Sequence, residues 1–160
     1  MRASVHAAAG AAAGLACGFA LGPPCGVGLF LSSALLDADH VAHFSGRGMR
    51  PTASNLFRAF FMTPSRLQRY FRISRGIPES WAFPALHSVE LAGALALLGQ
   101  LLGSGILLGL SGGTLLHLLM DTRYYPGGWR SFSLFYKRIR RRDHRRRWME
   151  FHPRESVRER

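Results

Sequence analysis

Acids are scarce in this sequence, lysine is nearly missing, and two long stretches carry no charge. Nine Asp and Glu stand against 21 basic residues in 160, and Lys137 is the one basic residue that is not Arg. The two cysteines, Cys17 and Cys25, lie in apolar sequence, which provides neither a disulfide framework nor a CxxC metal pattern. Reduced, buried thiols are expected. There is no GxxxxGK[ST] phosphate loop and no G-x-S-x-G nucleophile elbow, so the usual signatures of P-loop nucleotide binding and of α/β-hydrolase chemistry are missing.

Residues 3–36 contain no Asp, Glu, Lys or Arg, nor do residues 91–120. Each stretch exceeds the roughly 18 apolar residues that suggest a membrane span, and each is long enough for two short ones. Gly22, Pro23 and Pro24 interrupt the first, because paired prolines remove donors and clash with a preceding helical turn. Gly103, Ser104 and Gly105 break the second. The expectation is an all-α polytopic membrane protein with four short transmembrane helices in two hairpins, over residues 4–21, 25–40, 85–102 and 105–122. Helices of about 16–18 residues reach about 24–27 Å, which is short for a span and calls for a thin local bilayer or partial immersion.

The chain is then one membrane domain, 1–160, in four parts: a first hairpin at 4–40, a basic amphipathic connection at 41–84, a second hairpin at 85–122 and a basic tail at 123–160. Arg2, the connection and the tail hold every basic residue, so the positive-inside rule puts both termini in the cytoplasm. A cleaved signal peptide, with a lipoprotein-like box around Cys17, is the weaker alternative, since cleavage would leave a strongly basic domain outside. In the connection, Ser54 is the expected cap of a segment bearing Phe57, Phe60 and Phe61, and Pro64 opens a second with Arg66, Arg69 and Arg72. Basic helices with aromatic faces suit the membrane interface.

This topology gathers ionisable residues at one end of the bundle. His6 begins the first helix; Asp37, Asp39 and His40 end the second; His87 and Glu90 begin the third; His117 and Asp121 end the fourth. Spacings of three or four put Asp37 with His40, His87 with Glu90, and His117 with Asp121 on shared helical faces. Glycine rows continue two of these faces: His6, Gly10, Gly14, Gly18 and Gly22, and then Gly105, Gly109, Gly113, His117 and Asp121. Small residues at such spacing allow close helix approach. A step of four residues drifts about 40° on a 3.6-residue helix, so neighbours alone are expected to share the interior face, notably His6 with Gly10 and Gly113 with His117. A lone histidine at a helix end is ordinarily interfacial or hydrogen-bonded. Acids and imidazoles together near membrane depth instead mark a functional site, and their chemistry suits zinc, manganese or iron. His43 could extend the cluster, whereas His144 and His152 belong to the solvated tail.

In order and spacing these residues resemble the predicted membrane-bound metal-dependent hydrolases of bacterial and archaeal inner membranes. The resemblance covers most of the chain: H-x-x-x-G (His6 to Gly10), L-D-x-D-H (Leu36 to His40), H-S (His87, Ser88), and H-x-x-x-D with a Gly ten residues after the His (His117, Asp121, Gly127). The chain departs from the family pattern at Leu36, which stands where a Pro is usual, at Ala82, in place of the first His of H-R-G-x-T-H-S, and at Tyr124, in place of a Thr. The resemblance implies a divalent-metal cofactor, zinc or manganese, and hydrolysis of an ester or phosphoester at the cytoplasmic interface.

The ligand candidates are His6, Asp37, Asp39, His40, His87, His117 and Asp121. Asp39 and Glu90 are the catalytic candidates, Glu90 as general base or as a further ligand in place of the missing His. Arg residues at 47–75 would hold an anionic head group. The competing expectation is a non-enzymatic membrane protein with a structural polar cluster, whose basic tail binds anionic lipid, nucleic acid or a protein partner. For the tail itself, a topology signal beside membrane lipid is the first expectation and nucleic acid the lesser. A transporter is disfavoured because the ionisable groups sit at one end rather than at mid-membrane.

Overall fold

A computed structural model of the chain describes residues 3–37, 50, 52–62, 86–124 and 128–139, and every regular element among them is helical. Helix α1, Ala3–Leu21, is rich in Ala, the strongest helix former, and has no proline in its interior. It stops at Gly22, whose φ of 98° favours a residue without Cβ. Pro23 and Pro24 then open α2, Pro23–Leu35. They lie within the first turn, where a missing N–H costs no intrahelical bond, so the pair that ends one helix also starts the next, earlier than the expected residue 25.

Helix α2 also ends earlier than expected. The Leu36 amide closes its last turn on the Ser32 carbonyl at 3.2 Å, and Asp37 lies just beyond it. An acid in the last turn would face the negative end of the helix dipole. Asp39, His40 and His43 lie outside the described residues.

Helix α3, Ala53–Phe61, is capped by Thr52 and not by Ser54: the Asn55 amide donates to Thr52 Oγ1 at 3.3 Å. The cap falls there because Thr52 has the extended backbone that an N-cap needs, while Ser54 is already inside the helix. Its face is aromatic and exposed, with Phe57 and Phe61 rings 4.6 Å apart. The expected segment after Pro64 lies outside the described residues.

The second apolar stretch forms α4, Val89–Leu101, and α5, Gly105–Asp121. Ser88 caps α4 by accepting the Leu91 amide at 3.1 Å, which starts the helix after His87 and not at residue 85. The break comes where expected, at Leu102 to Ser104, with Gly103 at φ 59° and the Ser104 amide on the Gly99 carbonyl at 2.8 Å. After α5 come two 3-10 turns, Thr122–Tyr124 and Gly128–Phe132, and a short helix α6, Leu134–Ile139.

Helix α2 packs between α1 and α5, and α4 flanks α5. Glycine makes these contacts close enough for backbone to meet backbone. A Cβ on Gly14 would lie 2.8 Å from the Gly26 carbonyl oxygen, one on Gly109 would collide with the Cys25 carbonyl, and one on Gly113 with that of Leu29. The buried row on α5 runs farther than the drift argument allowed. Gly109, Gly113, His117 and Asp121 are all buried, because neighbours on two sides, α2 and α4, cover a wide sector of the helix.

Among the described residues, buried polar side chains and exposed large apolar ones are both prominent. His6, Ser33, Ser88, Thr114, His117 and Ser131 are 0–1% exposed, while Leu15, Phe19, Leu21, Leu101, Leu102 and Leu119 are 66–91% exposed. Hydroxyl bonds tie the apolar helices together: Ser32 to Thr114 at 2.7 Å, and Ser111 Oγ donating to the Ala92 carbonyl at 2.8 Å. Among the described helices, α1, with 19 residues, is long and apolar enough to cross a membrane. Helices α2, α4 and α5 are apolar but shorter, at 13, 13 and 17 residues.

Candidate metal centre

At the end of the bundle where α1 begins and α5 finishes, four acidic and imidazole side chains converge. His6 projects from the first turns of α1, Asp37 follows α2, and His117 and Asp121 share the last turn of α5. One possible ligand atom from each lies within 4.8 Å of all the others, so the group could hold a metal ion. His6 Nε2 is 3.2 Å from Asp121 Oδ1 and 4.0 Å from Asp37 Oδ2. His117 Nε2 is 3.5 Å from Asp37 Oδ1 and 3.6 Å from Asp121 Oδ2.

The orientation of His117 is fixed from behind. Its Nδ1 lies 2.9 Å from the Ser33 carbonyl oxygen, which can only accept, so Nδ1 carries the proton and Nε2 of the neutral ring offers its lone pair. A ring nitrogen held by a carbonyl while the other faces a metal is the usual supporting arrangement of a ligand histidine. Ser33 also donates its hydroxyl to the His6 backbone carbonyl at 3.0 Å, so one α2 residue secures both α1 and α5 beside the site. Sequence reasoning missed Ser33. The available signal was its place one helical turn before Asp37.

Several observations fit a cation. His6 Nε2 and His117 Nε2 are buried and, despite the nearby carboxylates, make no contact with the directionality of a hydrogen bond. The His6 and His117 rings stack at 3.8 Å and 18°, and two imidazolium rings that close would repel, which disfavours both being charged at once. Two carboxylates in a buried pocket need compensating positive charge. Bonds of about 2.0–2.2 Å from imidazole and carboxylate to zinc require adjustments of about 1 Å or less from this spread.

Of the other candidates, His87 is adjacent and Glu90 is engaged elsewhere. His87 Nε2 is 3.9 Å from Asp37 Oδ1, and its ring meets His117 edge-on at 5.1 Å. Because His87 precedes the Ser88 cap, it does not share a helical face with Glu90, which corrects the spacing argument for that pair. Glu90 Oε1 accepts the Ser133 hydroxyl at 2.6 Å, and Ser133 Oγ accepts the Tyr136 amide at 3.2 Å, so the Glu90 carboxylate links α4 to the start of α6. Asp37 likewise lies past its helix, and its pairing with His40 falls outside the described residues. The i, i+4 pair His117 and Asp121 does share a face, as its spacing predicts.

Compared with known protein families, curated proteins and solved structures, the chain matches none.

Proposed function

We propose that the chain is a multi-pass protein of the cell inner membrane whose His6, Asp37, His117 and Asp121 bind a divalent cation, and that the site hydrolyses an ester or phosphoester at the cytoplasmic interface. The observation that carries this reading is the convergence of two buried imidazoles with two carboxylates. A set of two nitrogens and two oxygens suits zinc or manganese. Membrane residence is supported by the polar interior and apolar exterior of the bundle, and the placement of Arg supports cytoplasmic termini. Helices α2, α4 and α5 would be accommodated by local thinning of the bilayer.

When bound, such a cation supplies Lewis acidity toward a water molecule and a substrate oxygen. The protein's own groups orient and move the proton. Ser33 keeps the His117 ring in one tautomer. Asp37, with its side chain 14% exposed, is the edge of the group that meets the surroundings. His87 Nε2, beside Asp37, is placed to take a proton at that edge. Arg50, two residues before the Thr52 cap of the aromatic helix α3, and Arg58 within that helix supply positive charge for an anionic head group.

The test is element-resolved metal analysis of detergent-purified protein alongside His117→Ala and Asp121→Asn variants, with hydrolysis of nitrophenyl ester and phosphodiester substrates followed in parallel. About one metal per chain, lost in both variants together with hydrolysis, is the expected result. Folded wild-type protein without stoichiometric metal overturns the reading. Metal retained with no hydrolysis of any ester restricts it to a structural centre.

A further inference from the structure

At the opposite end of the α1–α2 hairpin, the two cysteines are reduced, as expected, and lie side by side. Cys17 Sγ and Cys25 Sγ are 2.8 Å apart, well inside the ordinary contact distance of two thiol sulfurs. Both are free thiols; Cys17 is half-buried and Cys25 buried. They face each other across the Gly22 turn, whose positive φ and following prolines set the angle at which α1 and α2 meet. Gly18 and Gly26, beside them, bring the two helix backbones together.

We infer that Cys17 and Cys25 are a dithiol that closes to an intramolecular disulfide by exchange with a disulfide-bearing oxidant, either a protein dithiol oxidase or a small disulfide. Cys17, the more accessible sulfur, attacks as thiolate. Its S–S bond to the oxidant forms as the oxidant's own S–S bond breaks, and one oxidant sulfur leaves as a thiol. Cys25 then attacks Cys17 Sγ, closing the Cys17–Cys25 bond and expelling the second oxidant sulfur. The two cysteines lose two electrons and two protons; the oxidant gains both and ends as two thiols.

The bond has a structural consequence. His6 lies about 16 Å along α1 from Cys17 at 1.5 Å per residue, and Asp37 lies a similar distance from Cys25 at the end of α2. A covalent link at the turn fixes the register of the two helices that carry these residues. The Cys25 carbonyl is also the surface on which Gly109 rests, so the same link anchors the seat of α5. The compartment of the reaction rests on the proposed topology, in which the Gly22 turn faces the oxidising, non-cytoplasmic side.

The experiment uses full-length protein purified in detergent under reduction, freed of reductant, treated with oxidised glutathione and mapped by non-reducing peptide mass spectrometry. A Cys17–Cys25 cross-link without a stable glutathione adduct is expected. In Cys25→Ser, glutathione should remain trapped on Cys17. A wild-type protein that keeps glutathione on Cys17 with Cys25 free, forms cross-linked dimers, or leaves both thiols unreacted overturns the inference. Metal content measured on Cys17→Ser/Cys25→Ser keeps the two readings apart: the disulfide fails on the mapping alone and the metal centre on the metal analysis alone. Thiol trapping in intact cells reports the compartment: a pair protected until reduction supports the outward-facing turn. A pair that closes in detergent but is open in cells overturns that topology and leaves the dithiol standing.

Discussion

Replacing Gly109 by Ala tests the packing on which the site depends. In an isolated helix the change stabilises, because Ala exceeds Gly by about 1 kcal/mol in helix propensity. Here the added methyl would collide with the Cys25 carbonyl oxygen and lie 2.9 Å from the Leu29 amide nitrogen. Both are backbone atoms of α2, so no side-chain rotation relieves the overlap and α2 must part from α5. Overpacking of this kind costs about 1–3 kcal/mol, occasionally more, and the rigid backbone on both sides argues for the upper end. Subtracting the propensity gain leaves a net loss of about 2 kcal/mol, or about 30-fold in the folding equilibrium. Gly93 is the matched control, since a Cβ there meets nothing within 4 Å, and Gly93→Ala should be neutral or stabilising by up to about 1 kcal/mol. The assay is equilibrium unfolding in mixed detergent micelles followed by helical circular dichroism. Parting α2 from α5 also draws the Ser33 carbonyl away from His117, so bound metal should fall with stability. Gly109→Ala as stable as Gly93→Ala would refute the reasoning.

Other substitutions probe single contacts. Ser33→Ala removes the hydroxyl bond to the His6 carbonyl but keeps the backbone carbonyl that orients His117; stability should fall by about 1 kcal/mol with metal content unchanged in the same purified samples. Thr52→Ala should fray α3, by about 1 kcal/mol in an unfolding titration, whereas Ser54→Ala should not, because Thr52 accepts the Asn55 amide. Glu90→Gln should keep its metal, since the Glu90 carboxylate bonds Ser133 and not the four-residue group; loss of metal in that variant would restore Glu90 as a ligand.

The uncharged stretches made the helical architecture legible, because Gly22 with its prolines and Gly103 with Ser104 punctuate apolar runs too long for single short helices. Helix ends were harder to read. Several Ser and Thr residues near each start could serve as the cap, and that Ser88 does so decides that His87 lies ahead of its helix and not on it. Periodicity therefore gave the right pairing for His117 and Asp121, deep in α5, and the wrong one for His87 and Glu90, at a terminus. Four of the residues chosen from residue chemistry do converge. What spacing could not reveal was the packing between helices, since Ser33, Gly10 and His6 meet through contacts across separate elements.

Fold and site are coupled through the cost of burial. Asp121 and the two imidazoles are almost wholly enclosed, and isolated ionised carboxylates in such surroundings are strongly disfavoured. The close helix contacts at Gly10, Gly109 and Gly113 hold α1, α2 and α5 together, so the packing that shapes the bundle also contributes to the demand for positive charge at its end. On the metal reading, the cation satisfies that demand and becomes part of what holds α1, α2 and α5 together. Chelation should then lower stability as well as remove chemistry, by RT ln(1 + [L]/Kd), which is about 4 kcal/mol at a thousandfold excess of metal over its dissociation constant. His117→Ala, having lost the site, should show no such response to chelator. A wild-type protein whose unfolding is unchanged by stripping a stoichiometric metal would separate the two, and would mean that proton sharing between the imidazoles and carboxylates already balances the buried charge.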